Sequence, residues 1–350
     1  MNTILVILII ALGLWLLYKL FTSGSKDDYN RDTSGYNRNA DNYDRGEQYT
    51  RKGNNKKSIF SFLQKRENNT EKRAKRQSIF TRIFSEPLPF DDEAITWCAN
   101  FLIVEKDTLV NILRNTSNHY THFKLSKRSG GYRTISAPDM ILMYLQKIIY
   151  KRILISVNLH PSSMGFHKNI SITDNAKAHL GNKQILKVDI TNFFGSIKKH
   201  RIIKTFEKIG YPTNISHILA SLCTLDGKLP QGAATSPALS NIVAYDMDIK
   251  LASIAKENNL TYTRYADDLT FSGEEISFEH ILFKVDSIIR KEKFAIQRKK
   301  TRFLTEKKRK IITGISISSG KKLMIPKAKK REIRKNVHYI LTKGLAEHQR

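Results

Sequence analysis

Residues 261–273 read TYTRYADDLTFSG: two short runs of β-branched and aromatic residues on either side of Ala266-Asp267-Asp268. Such runs, broken by a brief polar step, predict a β-hairpin with adjacent carboxylates at its tip. Neighbouring acids on a turn are ordinarily solvated charges. Here the flanks are apolar and aromatic, which predicts a pair at the rim of a packed sheet, where like charges repel unless a cation compensates.

Residues 185–197, ILKVDITNFFGSI, run a second predicted strand into Asp189, then a turn and Phe193-Phe194. A strand-end Asp beside the hairpin acids would give three carboxylates able to hold two Mg²⁺ ions through hard oxygen ligands. That set suits two-metal phosphoryl transfer, in which one ion activates the attacking hydroxyl and the other steadies the leaving group. On these residues alone, scattered surface acids and a Ca²⁺ site stay open as readings.

Outward from these stretches, Pro87 and Pro89 mark the entry to a folded region. Ile141, Leu142, Leu145, Ile148 and Ile149 recur at helical spacing. β-rich runs at 184–190, 261–265, 269–272 and 310–317 alternate with helices, predicting an α+β domain. Ahead of it, residues 22–86 are rich in Asn, Asp, Ser, Gly, Lys and Arg, too polar to bury a core and expected to be a disordered basic linker. Its steps Tyr29-Asn30-Arg31, Tyr36-Asn37-Arg38, Tyr43-Asp44-Arg45 and Tyr49-Thr50-Arg51 read either as stacking units for single-stranded RNA or as low-complexity spacer. Residues 1–21 are apolar up to Trp15, Tyr18 and Lys19, the pattern of a transmembrane anchor with an interfacial end. No charge precedes the apolar run, which disfavours a cleaved signal peptide.

The chain carries 60 Lys and Arg against 32 Asp and Glu, a net charge of +28 that calls for a polyanionic partner, nucleic acid or an anionic membrane. Two distant cysteines, Cys98 and Cys223, exclude a disulfide framework and a cysteine zinc site.

Asp189 with Phe193-Phe194, then Leu229-Pro230-Gln231-Gly232 with Ser236-Pro237, then Tyr265-Ala266-Asp267-Asp268, resemble in order and spacing the palm motifs of reverse transcriptases, over roughly residues 120–318. The resemblance implies a right-hand polymerase with fingers and palm over 87–320, a short helical thumb over 321–350, and RNA-directed DNA polymerase activity. It implies that Asp189, Asp267, Asp268 and the backbone carbonyl of Ile190 hold two Mg²⁺ ions. Phe194 becomes the bulky gate beneath the sugar of the incoming deoxynucleoside triphosphate, with one of Phe193 and Phe194 expected in the core. Gln231 and Gly232 resemble the loop against the nascent base pair, where Gly permits close backbone approach. Residues 127–133, KRSGGYR, resemble the fingers hairpin whose Lys127 and Arg133 grip the triphosphate. Lys300-Thr301 resembles the palm lysine motif; amid Arg298, Lys299 and Arg302 a plain RNA-facing basic patch is an equal reading.

Asn175-Ala176-Lys177-Ala178-His179 is similar to the NAxxH signature of retron enzymes, on a short helix expected to be N-capped by Asp174 and ended by Gly181. Ile312-Thr313-Gly314 stands where that branch carries VTG. The resemblance implies that Asn175, His179, Ile312, Thr313 and Gly314 serve recognition of a cognate structured noncoding RNA. It further implies priming from an RNA 2′-OH, a branched RNA–DNA product, an effector protein partner and a role in anti-phage defence. With the anchor at residues 1–21, the expected location is the inner membrane, single-pass, with the catalytic domain cytoplasmic. A group II intron-like or abortive-infection reverse transcriptase is the alternative within the class. A membrane-tethered RNA-binding scaffold without catalysis is the alternative outside it.

Overall fold

The computed structural model describes residues 89–127 and 130–344; the expected anchor (1–21) and linker (22–86) lie outside the described residues. No helix among the described residues is long and apolar enough to cross a membrane.

Two helices, α1 (Asp92–Leu102) and α2 (Lys106–Arg114), open the fold. The Asp91 carboxylate caps α1 by accepting from the Ala94 amide at 2.6 Å. An antiparallel hairpin follows, β1 (Tyr120–Ser126) and β2 (Tyr132–Pro138). Next come α3 (Met140–Arg152), capped by Asp139, and α4 (Ile172–Lys177). Strand β3 (Gln184–Asp189) leads into α5 (Phe193–Ser196), α6 (Lys199–Ile209), α7 (Thr213–Cys223), α8 (Ser236–Val243) and α9 (Tyr245–Glu257). The hairpin β4 (Thr261–Tyr265) and β5 (Asp268–Gly273) precedes α10 (Phe278–Lys291) and β6 (Arg302–Leu304). A small hairpin, β7 (Ile311–Ile312) and β8 (Ile315–Ser316), and a last helix, α11 (Lys327–Lys343), complete it. None of the residues of α11 is buried.

The central sheet has the order β4-β5-β3-β6 and is antiparallel throughout. Strand alternation divides its faces. Leu186, Val188, Tyr262, Leu269 and Phe271 point into the main core, against the helices. Ile185, Lys187 and Asp189 of β3 share the other face with Asp268, Thr270 and Ser272 of β5, their register partners. On that face Ile185 joins a second cluster with Ala176, Ile312, Ile315 and Ile317, so α4 and the β7–β8 hairpin cover one end of it.

The α+β expectation and the strand positions agree with this architecture. Two local readings are corrected. The hairpin tip is only Ala266-Asp267, because Asp268 already pairs with Tyr265 and with Asp189. The cap of α4 is Ser171 rather than Asp174: Ser171 and Asp174 form a reciprocal capping box, which places Asp174 at the third helical position.

Candidate active site

Asp189 ends β3 directly opposite Asp268 at the start of β5, and Asp267 occupies the adjoining turn. Ala266 takes a left-handed φ of 55°, the conformation that lets two residues reverse the chain. The Ile190 amide donates to the Asp267 carbonyl at 2.9 Å, stitching the turn to the end of β3. Burial first, then the charges of Asp268 and Asp189, push the Asp267 carboxyl up to about 7. Burial also raises Asp268, against the opposing pull of Lys187.

Lys300 donates to Asp189 Oδ2 at 2.8 Å, and this bond raises the lysine further. That ammonium is the cation the acids hold. As placed, no three carboxylate, imidazole or thiol side chains among the described residues surround a common point, and Asp189 Oδ2 is turned to Lys300. The donor chemistry still fits divalent magnesium: three carboxylates supply hard oxygens, and added positive charge would relieve the two that burial raises, Asp267 and Asp268. The bonds of the Ile190–Ile296 bridge run from Gln297 to the Asp189 carbonyl and from Thr191 to the Ala295 carbonyl, so neither uses the Ile190 carbonyl.

Beneath the turn lies a buried polar network that the sequence reading did not single out. Arg264 and Asp248 are both fully buried and share a bidentate ion pair, Nε to Oδ1 at 2.8 Å and Nη2 to Oδ2 at 2.6 Å. Tyr262 donates its hydroxyl to the same Asp248. Arg264 Nη1 also donates to the Ala266 carbonyl at 3.2 Å and to Asn241 Oδ1 at 2.9 Å. Asn241 in turn donates to the Gly165 carbonyl at 2.8 Å. Gly165 lies so close that a β-carbon there would stand 2.7 Å from the Ala266 nitrogen. The usable signal was alternation: Arg264 falls on the core-facing register of β4, beside Tyr262, where an arginine demands a partner.

Phe193 is core, 3 % exposed, whereas Phe194 is half-buried, its ring 6.1 Å from Phe166, which also meets Tyr265. Gln231 and Gly232 pack against the fingers hairpin: the Ser136 amide donates to the Gln231 carbonyl, and a β-carbon on Gly232 would lie 2.7 Å from the Ser136 carbonyl. Close approach to β2, together with a φ of 126°, requires a glycine here. Arg133 shares the face of β2 that carries buried Ile135 and Ala137, turned toward this loop. Lys127 remains exposed at the hairpin end, bonded through its backbone to Gly131.

A sequence profile described as reverse transcriptase (RNA-dependent DNA polymerase) matches residues 125–339, more than half of the 350-residue chain. The chain belongs to the reverse transcriptase family. Among curated proteins it is 36% identical over 212 residues to the retron Ec86 reverse transcriptase of Escherichia coli, covering 59% of this chain and 65% of that one. It is 32% identical over 225 residues to the retron Mx65 reverse transcriptase of Myxococcus xanthus, covering 59% and 53%. It is 30% identical over 257 residues to the retron Mx162 reverse transcriptase of the same organism, covering 64% and 53%. The chain thus spans between about half and two thirds of the length of these relatives. Profile and relatives together support a retron-type reverse transcriptase.

In this reverse transcriptase the two retron-like signatures meet. Asn175 Nδ2 reaches Thr313 Oγ1 at 3.4 Å, and Thr313 donates to the Ile172 carbonyl at 2.9 Å. Thr313 and Gly314 form the positive-φ turn of the β7–β8 hairpin. His179 lies past the end of α4 and bonds both ring nitrogens to the sheet, Nδ1 with Ser272 at 2.6 Å and Nε2 with Thr263 at 2.7 Å. Asn175, His179 and Ile312 are buried. Asn175 and His179 bond the cover to the sheet and Ile312 packs beneath it, while Gly314 stays exposed and Thr313 half-exposed.

Proposed function

We propose that this chain is an RNA-directed DNA polymerase of the retron type. The observation that carries the reading is the β3–β5 register, which sets Asp189 opposite Asp268 with Asp267 in the adjoining turn, inside a chain that belongs to the reverse transcriptase family. Asp189, Asp267, Asp268 and the Ile190 carbonyl would hold two Mg²⁺ ions. Bound there, magnesium lowers the pKa of the attacking hydroxyl and neutralises charge on the phosphates. The chain's own part is positioning. The Arg264 network fixes the turn, Phe194 presents its ring beneath the sugar of a deoxynucleoside triphosphate, and Arg133 and Lys127 contact its phosphates from the fingers. Lys300, which donates to Asp189 Oδ2, lies where it would bind phosphate.

The template is a cognate structured noncoding RNA, primed from an RNA 2′-OH and copied into a branched RNA–DNA hybrid. Similarity to the retron enzymes and the net charge of +28 support this. In the same reading the complex serves anti-phage defence with an effector protein, held at the inner membrane by residues 1–21.

Purified protein with Mg²⁺ should extend a primed RNA template with deoxynucleotides, and Asp267→Ala should abolish extension; activity surviving in that variant overturns the site. Sequencing of co-purified nucleic acid should recover a branched hybrid. Deleting residues 1–22 should release the protein from the membrane fraction, and unchanged partitioning would remove the anchor from the proposal.

A further inference from the structure

Lys187 lies two residues before Asp189 on β3, about 6.6 Å back along the strand, and on the same sheet face. Its register partner on one side is Thr270; on the other it is Arg302 of β6. Opposed residues of an antiparallel pair project to the same face, so two cations stand side by side there. Neither forms an ion pair among the described residues. Arg302 spends Nη1 on the carbonyls of Lys299 and Thr301, and the Lys187 side chain has no hydrogen-bond partner among the described residues.

A directly opposed like-charge pair destabilises a sheet unless something anionic lies across it. The carboxylates nearest along the face offset this only in part: Asp189 is bonded to Lys300, and Asp268 feels the charge of Lys187 from a diagonal position without an ion pair among the described residues. Lys187 is half-exposed and Arg302 exposed, so the pair is open to a ligand. Beyond it on the same face rises the cover formed by α4 and β7–β8, clamped by His179 on Thr263 and Ser272. Carboxylates, cation pair and cover therefore follow one another along the sheet.

We propose that Lys187 and Arg302 form a backbone-phosphate subsite, holding a phosphodiester of the nucleic-acid duplex just behind its reacting end. The inference deepens the polymerase reading above and rests on it. The nucleic-acid backbone is favoured over a nucleotide triphosphate because the pair stands between the carboxylates and Ile185, which packs under the cover, and so lies back along β3 from the reacting end. A chain threaded past the acids has to continue in that direction or away from the sheet. Lysine supplies a point charge and arginine a planar fork, both suited to phosphate oxygens.

The test uses the full chain and a 20-base-pair DNA primer–RNA template duplex, binding being followed by anisotropy over a range of salt without nucleotide. Each phosphate contact contributes about 0.7 to 0.9 to the slope of log affinity against log salt. Lys187→Gln and Arg302→Gln should each lower the slope by about that amount, and the double variant by about twice it. Melting temperature should hold or rise, because a repulsion has been removed. An unchanged slope in the double variant overturns the subsite. So does a slope loss accompanied by a lowered melting temperature, which marks the pair as structural, or a raised KM for deoxynucleotide with the slope intact, which marks a triphosphate site. Because binding is read without catalysis, a wild type that binds with the expected slope but does not polymerise defeats the polymerase reading and leaves the subsite standing.

Discussion

Arg264 and Asp248 face each other across the space between β4 and α9 in a bidentate pair, and Arg264 extends from it to the Ala266 carbonyl of the acidic turn. A charge pair with no access to water gains little net stability, since desolvation offsets the attraction. Its geometric effect is larger: the guanidinium has one orientation, and the turn inherits it. Asp248→Ala, which strands the arginine, should cost about 3–5 kcal/mol in denaturant unfolding. Arg264→Met with Asp248→Leu should cost much less yet depress primer extension. Full extension by the double variant would remove the positioning role.

Gly165→Ala forces a β-carbon to within 2.7 Å of the Ala266 nitrogen, so the turn must shift. A displacement near 1 Å at reacting groups costs on the order of a hundredfold in rate. The expected result is a kcat lower by about that factor with duplex affinity unchanged. Wild-type turnover would show that the loop yields instead of the turn.

In the polymerase reading, Lys300 would compete with metal for Asp189 Oδ2. Its side chain is more than half exposed, so the ion pair is worth about 0.2–1 kcal/mol. Lys300→Met should therefore tighten Mg²⁺ binding by about 1.5- to 5-fold in calorimetry while slowing extension. Weaker or unaltered Mg²⁺ binding would contradict the competition.

His179 is held neutral, burial pulling its imidazole from 6.5 down to about 3. Its unfolded form takes a proton near pH 6.5 and its folded form does not. Stability from this residue is complete above about 6.5 and is lost as the pH falls toward 3, at up to about 1.4 kcal/mol per pH unit. His179→Asn should flatten the acid limb of stability against pH by up to one proton. An acid limb of equal steepness in the variant would refute the assignment.

In the polymerase reading, Phe194→Ala would open the space beneath the sugar. Discrimination against ribonucleotides should fall by about ten- to a hundredfold, the scale of one steric contact in a pocket. Competing deoxy- and ribonucleotide incorporation measures it; unaltered selectivity would return Phe194 to the aromatic cluster around Phe166.

Asp189 facing Asp268 was implied only by the resemblance and given by the register, whereas strand positions, the adjacent acids of the hairpin and the demand for a polyanionic partner were all legible in the chain alone. Each depends on near neighbours: alternation, turn chemistry and summed charge act over a few residues or need no geometry. Tertiary structure decided what joins residues far apart. It set Asn175 on Thr313, His179 on Thr263 and Ser272, and Arg264 on Asp248. It also placed Lys187 beside Arg302 and explained Gly232 by its contact with β2. A polar side chain in sequence shows what it can bond but not which distant partner the register brings to it. Only packing the sheet made those choices, because burial obliges each polar group to find a partner within reach.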